Sequence, residues 1–285
     1  MISGTRHRLT MEINRQLTLS REIARGQTEI STGKRIQSPS DDPVAAARVS
    51  EISRSQANET VWKSNLNLAA SLAARADTAL ASANGALDRA SELMVAGANG
   101  TLSAQDRAVI AGELRAIAEE LAVLKDARDS RGNRVFMAGV SLQIPVASGL
   151  AVSAVDTREA TFESVDTAAG PQDVVAIVNA AAAALELADP VARAAAVAVS
   201  IDEVADAAGH IANMRGQHGA LAARIDSLLD RNANSTLQLD EERKGLESAD
   251  ITAVIAKLQS QQLTLQAAQA VFARVNSQTL FDILR

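Results

Sequence analysis

The chain has 285 residues, enough to bury a sizeable core, with 28 lysines and arginines against 34 aspartates and glutamates, a formal net charge of −6. It has no basic stripe with interleaved aromatics, no apolar run of about 20 residues and no cysteine, which excludes nucleic-acid binding, a membrane-spanning helix, disulfides and thiolate metal sites. Abundant alanine beside four Phe, one Trp and no Tyr points to closely approaching helices, so the fold class is expected to be mainly α, an elongated bundle of long helices.

The first 16 residues, MISGTRHRLTMEINRQ, are charged throughout and lack an apolar h-region, so no cleaved secretory signal is expected. Residues from about 5 to 32 place Leu9, Ile13, Leu17, Ile23 and Ile30 on what reads as one helical face. The stretch STGKRIQSPSDDPVAAARVSEIS, 31–53, then interrupts the pattern. Its Gly33-Lys34 imitates a phosphate loop, but Thr28 stands where that motif needs its first glycine and Arg35 where it needs a hydroxyl. Its Asp41-Asp42 pair imitates an acid/base site, yet neither a neighbouring base nor a cleft signal accompanies it. Gly33, Pro39, Asp41, Asp42 and Pro43 instead spell a helix break: a glycine past one helix end, a stiff crossing, an Asp42 N-cap and a proline at the first helical position.

A long helix is predicted from about 43 to 98. Leu66, Ala73, Leu80, Leu87 and Met94 recur every seven residues, with Ala69, Ala76, Ala83 and Ala90 at the alternate seam positions. Gly97 and Gly100 close it, and Ser103 caps the next helix, which carries Ile110, Leu114, Ile117, Leu121 and Leu124. Leu66, Leu80, Leu87, Met94, Leu114 and Leu121 are the candidate bundle core. Residues 131–172 change texture, with Gly, Pro, Ser and Thr among short β-branched runs, and predict a few short strands and turns.

Helical patterning returns near Asp173, pauses at Asp189-Pro190 and runs to about Leu239, with Val204, Ile211 and Ile225 in one phase and Met214, Leu221 and Leu228 in another. A last helix from about Ala249 shows Ile251, Val254, Ile255, Leu258, Leu265 and Phe272. The organisation expected is an N-terminal assembly helix and turn (1–42), bundle halves (43–130 and 173–246) around the insert (131–172), and a C-terminal assembly helix (247–285).

No constellation suggests an enzyme, a cofactor or a metal. His7 lies among charges, His210 and His218 fit partly buried seam positions, and Asp240 to Lys244 reads as a solvated face. The two terminal stripes are narrow and interrupted by Gln16 and Gln27 at one end and Gln262 and Gln269 at the other. A lone helix of that kind is marginal in water, so the two either fold onto their own bundle or require partner subunits, with the polar positions setting register. The second is the favoured expectation, since Gly33 to Pro43 separates the first helix from the bundle.

The break stretch, NGTLSAQDRA, RGNRVFMAG, MRGQHGALAARID and the ending LQAAQAVFARVNSQTLFDIL together resemble the flagellin superfamily, in order and over nearly the whole chain except about 141–172. Asp41-Asp42-Pro43 and the ending Ser277 to Leu284 are similar to its hook–filament junction branch, whereas filament flagellins usually continue Asp-Asp-Ala-Ala-Gly-Leu. The short insert departs from that branch, which leaves a short filament flagellin, with or without a surface-binding role, as the alternative. The resemblance implies an extracellular structural subunit of the flagellum, exported unfolded through the type III channel. It also implies paired terminal coiled-coil helices forming an inner tube, an elongated bundle of long antiparallel helices outside them, and a small variable β/loop insert at the surface. The implied partners are further copies of itself, another hook-associated protein, flagellin, and a cytoplasmic export chaperone that holds the C-terminal helix.

Overall fold

A computed structural model describes the backbone of residues 2–283 and the side chains of residues 7 and 10–274. The molecule is mainly α: α1 (Ile2–Thr32), α2 (Pro43–Gly97), α3 (Ala104–Lys125), α4 (Val174–Glu186), α5 (Pro190–Glu247) and α6 (Ile251–Ile283). Four short strands lie between α3 and α4: β1 (Gln143–Ala147), β2 (Leu150–Ser153), β3 (Val165–Thr167) and β4 (Gly170–Gln172).

The helices begin where short polar side chains can satisfy the first N–H groups. Ser103 and Asp106 form a reciprocal capping box ahead of α3. Asp173 accepts the N–H groups of Val175 and Ala176, Asp189 those of Val191 and Ala192, and Asp250 that of Ala253. Pro190 stands at the first position of α5, where its missing N–H costs nothing.

The chain forms two compact units, Met1–Ala57 with Thr236–Arg285, and Asn58–Ser235. These divisions fall inside α2 and α5 rather than at 42/43 and 246/247, because the helix segments next to the breaks pair with each other: Arg48 meets Glu242 at 2.6 Å, and Gln56 donates to Asp240 at 2.6 Å.

Unit 58–235 holds most of the buried apolar residues. On α2, Leu66, Leu80, Leu87 and Met94 are buried with the alanines between them, and Leu114 and Leu121 of α3 are fully buried against the same core. The two phases read in α5 turn out to be one seam. Val197, Ser200, Val204, Ala207, Ile211, Met214, His218, Ile225 and Asn232 follow alternating steps of three and four, with Leu221 and Leu228 half-buried in the same series. Apolar pattern alone split this seam because Ser200, His218 and Asn232 occupy positions where hydrophobic residues are anticipated.

The insert is two antiparallel hairpins, β1–β2 and β3–β4. Phe136 and Phe162 meet edge to face at 5.0 Å beside it, giving this alanine-rich unit its aromatic centre. Lys125, at the end of α3, lies 2.7 Å from Glu163 and pairs also with Asp173, so one ammonium ties α3, the insert and the cap of α4 together. Burial opposes its charge, but the hydrogen bonds it donates to Asp173 and Glu163 outweigh that and raise its pKa.

Candidate assembly site: the terminal helix pair and its break

Gly33 follows α1 at φ 68°, a left-handed conformation that glycine adopts without strain. From there the chain does not simply cross to α2. The Arg35 N–H donates to the Glu247 carbonyl at 2.7 Å, the Ala249 N–H donates to the Gly33 carbonyl at 3.0 Å, and Lys34 and Ser248 form an antiparallel bridge. Lys34 Nζ lies 3.1 Å from Glu247, and Arg35 Nη2 donates to the Leu246 carbonyl at 3.2 Å. The break after α1 and the break between α5 and α6 are therefore one junction. Reading 31–53 by itself missed this half; the only local signal for it was the cap residue Asp250 after the end of α5.

Within the junction the two adjacent aspartates do different work. Asp41 Oδ2 accepts the N–H groups of Ser38 at 2.9 Å and Gln37 at 3.0 Å, while Oδ1 faces Arg25 at 3.2 Å. Those backbone donors, helped by Arg25, hold its carboxyl below the usual range. Pro39 sits in the turn that the Asp41 N–H closes onto the Ser38 carbonyl at 3.0 Å. Asp42 caps α2 by accepting the Ala45 N–H at 3.0 Å and pairs with Arg35 at 3.2 Å, and in that order these depress its pKa. Both carboxylates are engaged as acceptors, and Pro43 opens α2 directly after them.

α1 and α6 run antiparallel. Ile23, Gly26 and Ile30 of α1 and Ile251, Val254, Leu258, Leu265 and Phe272 of α6 are half-buried along the contact, together with Leu19, Glu12, Gln16 and Gln261. Gly26 permits the closest approach: a Cβ there would lie 3.2 Å from Leu258 Cδ1. Gln261 donates to Glu22 across the pair, and Gln16 Nε2 is buried with no acceptor among the described residues. Gln262 is half-buried, whereas Gln27 and Gln269 are exposed.

Three residues of the stripe read from sequence do not join this contact. Ile13 is 42% exposed, Leu17 49% and Ile255 40%. Successive steps of four advance about 40° each around a helix, so Leu9, Ile13 and Leu17 walk off a seam that alternating steps of three and four maintain. Ile255 is likewise displaced from the line Ile251, Val254, Leu258. The side chain of Leu9 lies outside the described residues.

The histidines are dispersed. His7 is exposed, His210 Nε2 meets the Ala160 carbonyl at 3.0 Å, and His218 is buried with Nε2 2.7 Å from the Ala73 carbonyl. Among the described residues no group of three or more His, Asp or Glu is placed to hold a metal ion.

The family described as the bacterial flagellin N-terminal helical region matches residues 9–139, and the bacterial flagellin C-terminal helical region matches residues 201–284. The chain belongs to the flagellin family. Flagellar hook-associated protein 3 of Escherichia coli strain K12 is 24% identical to this flagellin-family chain over 289 residues, 90% of each. The protein of the same name from Salmonella typhimurium is 24% identical over 291 residues, 90% of this chain and 91% of its own. Among solved structures, a flagellar hook-associated protein from Vibrio parahaemolyticus superposes with a TM-score of 0.65 at 21% identity, covering 73% of this chain and all (100%) of its own. The flagellar junction protein FlgL from Legionella pneumophila does so at 0.56 and 15%, covering 70% and 100%. These structures share the flagellin-family fold. Neither flagellin region matches residues 140–200, which hold both hairpins, α4 and the start of α5.

Proposed function

We propose that this chain is a structural subunit of the extracellular bacterial flagellum that joins the hook to the filament. The observation that carries this reading is the similarity to two flagellar hook-associated protein 3 sequences along 90% of this chain and at least 90% of theirs. A filament flagellin with a reduced outer domain is the competing reading, and the small size of the two-hairpin insert is what favours it.

In this reading α1 and α6 are the assembly element. Their mutual contact is narrow and partly polar, and Ile13, Leu17 and Ile255 remain outside it. Each such side chain is worth about 1.5–3 kcal/mol on full burial, so burial against neighbouring copies in a tube adds what the pair alone lacks. The Gly33–Pro43 junction, with its partner 246–249, sets the point where the assembly element meets the helices of its own unit. Partners are further copies of the chain, another hook-associated protein and flagellin. An export chaperone holds α6 before secretion through the type III channel, and a cysteine-free chain suits passage unfolded. No catalytic step and no cofactor belong to this role.

Immunogold microscopy of isolated flagella tests it. A single band of label at the hook end is expected; label along the whole filament would replace the junction reading with the filament flagellin.

A further inference from the structure

Unit 58–235 carries an open groove of about 570 Å³ between the segment after α3 and the first hairpin. Leu68 and Leu72 of α2 form its floor, and Met137 and Leu142 stand exposed on its lip. Arg128, Arg131 and Arg134 line its rim. Arg128 donates to the Gly132 carbonyl at 2.6 Å, and Arg134 pairs with Asp126 at 3.3 Å. Asp129 is occupied in accepting the N–H groups of Arg131 and Asn133, each at 2.8 Å. Arg131 itself makes no salt bridge among the described residues. The result is an apolar trough with a cationic edge on a chain of net charge −6.

The complementary chemistry stands on the same unit. Val109 and Val123 of α3 are 67% and 71% exposed. Gly112 and Ala116 lie between them on one helical face, making a low apolar ridge flanked by exposed Glu119 and Glu120. Neither glutamate makes a salt bridge among the described residues. Ridge and groove are both open in one copy, so bringing them together takes two. We propose that the α3 ridge of one copy docks in the groove of the next, Glu119 and Glu120 facing the Arg131 rim. This rests on the reading of the chain as a self-assembling subunit and adds a contact outside the terminal helices. Groove-on-ridge contact is heterologous: each copy offers a free groove and a free ridge, so the contact propagates from copy to copy.

The absence of cysteine makes the test direct. Full-length Val123→Cys and Leu142→Cys chains, both altered at exposed positions, are mixed at low ionic strength and oxidised by air with copper phenanthroline. The mixed disulfide dimer is expected to form about tenfold faster than either like-with-like dimer. Adding Arg131→Glu to the Leu142→Cys chain should remove that advantage, and adding Glu119→Arg and Glu120→Arg to its partner should restore it. Equal rates for all pairings, or an advantage indifferent to the charge reversal, would overturn the docking. The result does not depend on where gold label falls on flagella, so either proposal can fail while the other stands.

Discussion

Asp41 and Asp42 are chemically identical neighbours separated in role by which N–H groups reach them. Asp42→Ala removes the acceptor for the Ala45 N–H and should lower the melting temperature. Asp42→Asn keeps that acceptor and forfeits only the pairing with Arg35, whose side chain is 49% exposed, so it should melt close to the parent chain. If asparagine proves as damaging as alanine, the charge itself is required. The pH dependence follows from the same contacts. Both carboxyls have folded pKa values below their unfolded ones, so their stabilisation is complete above the unfolded value of about 3.9 and fades as pH falls through the depressed folded values. Melting followed by circular dichroism from neutral pH downward should fall off below about pH 4, and less steeply in an Asp41→Asn, Asp42→Asn double variant; parallel curves would refute the assignment. Two glycines of α2 offer a second contrast. A Cβ at Gly97 would stand 2.7 Å from Leu185 Cδ2, and Leu185 is fully buried and has nowhere to retreat. Gly97→Ala should therefore cost about 1–3 kcal/mol. Gly85, with nothing within 4 Å of its added Cβ, should gain about 0.5–1 kcal/mol from the same change. Denaturant titration of both variants reads the sign.

At the scale of single elements, α2 and α5 owe their length to sustained seams rather than to local propensity. From Leu80 to Met94 the α2 seam alternates large residues with alanine, and three alanines separate Leu66 from Leu80, so each large residue inserts where its neighbours are small. Leu80→Ala should cost about 2–5 kcal/mol through lost burial and the cavity left behind, seen as a lower denaturant midpoint; an unchanged midpoint would mean the seam is not what holds this unit. Asn232 and Ser235 of α5 both donate to Glu59 of α2, a polar lock that fixes the register of the two helices. The terminal pair behaves differently because its contact is only half-buried. Leu258→Asp places a carboxylate against Gly26 and should separate α1 from α6 in the isolated chain, measured as lost helical ellipticity. Ile255→Asp, already 40% exposed, should leave that ellipticity unchanged and act on assembly alone. Equal loss in both variants would put Ile255 back in the pair.

For the whole molecule, the distribution of burial sets the order in which parts open. Apart from Ile52, the fully buried leucines, isoleucines and valines lie in unit 58–235, while the described side chains of α1 and α6 include none in the buried class. Local opening costs least where few apolar groups must be exposed. Hydrogen exchange on the dilute chain should therefore show the amides of 10–32 and 251–272 exchanging well before those of Leu66 to Met94. Equal protection across the two units would mean the terminal pair is as stable as the bundle, and neighbours would not be needed to complete it.

The break at Gly33–Pro43, the seam from Leu66 to Met94, the insert and the family were legible in the sequence, because caps, proline, glycine and heptad spacing act within a turn or two of chain. The end of α5 was not, since the pattern fades near Leu239 while the helix runs to Glu247, where Asp240 and Glu242 pair with α2. The family was legible because several linked motifs occur in order. The tertiary structure decided which apolar residues share a face once a narrow stripe offers more than one, as with Ile13, Leu17 and Ile255 against Ile23, Val254 and Leu258. It decided too that Gly33–Arg35 pairs with Glu247–Ala249, and that the seam residue His218 meets the Ala73 carbonyl. Those contacts join segments far apart along the chain, and a periodic pattern carries the phase of one helix but not the position of the helix that will meet it.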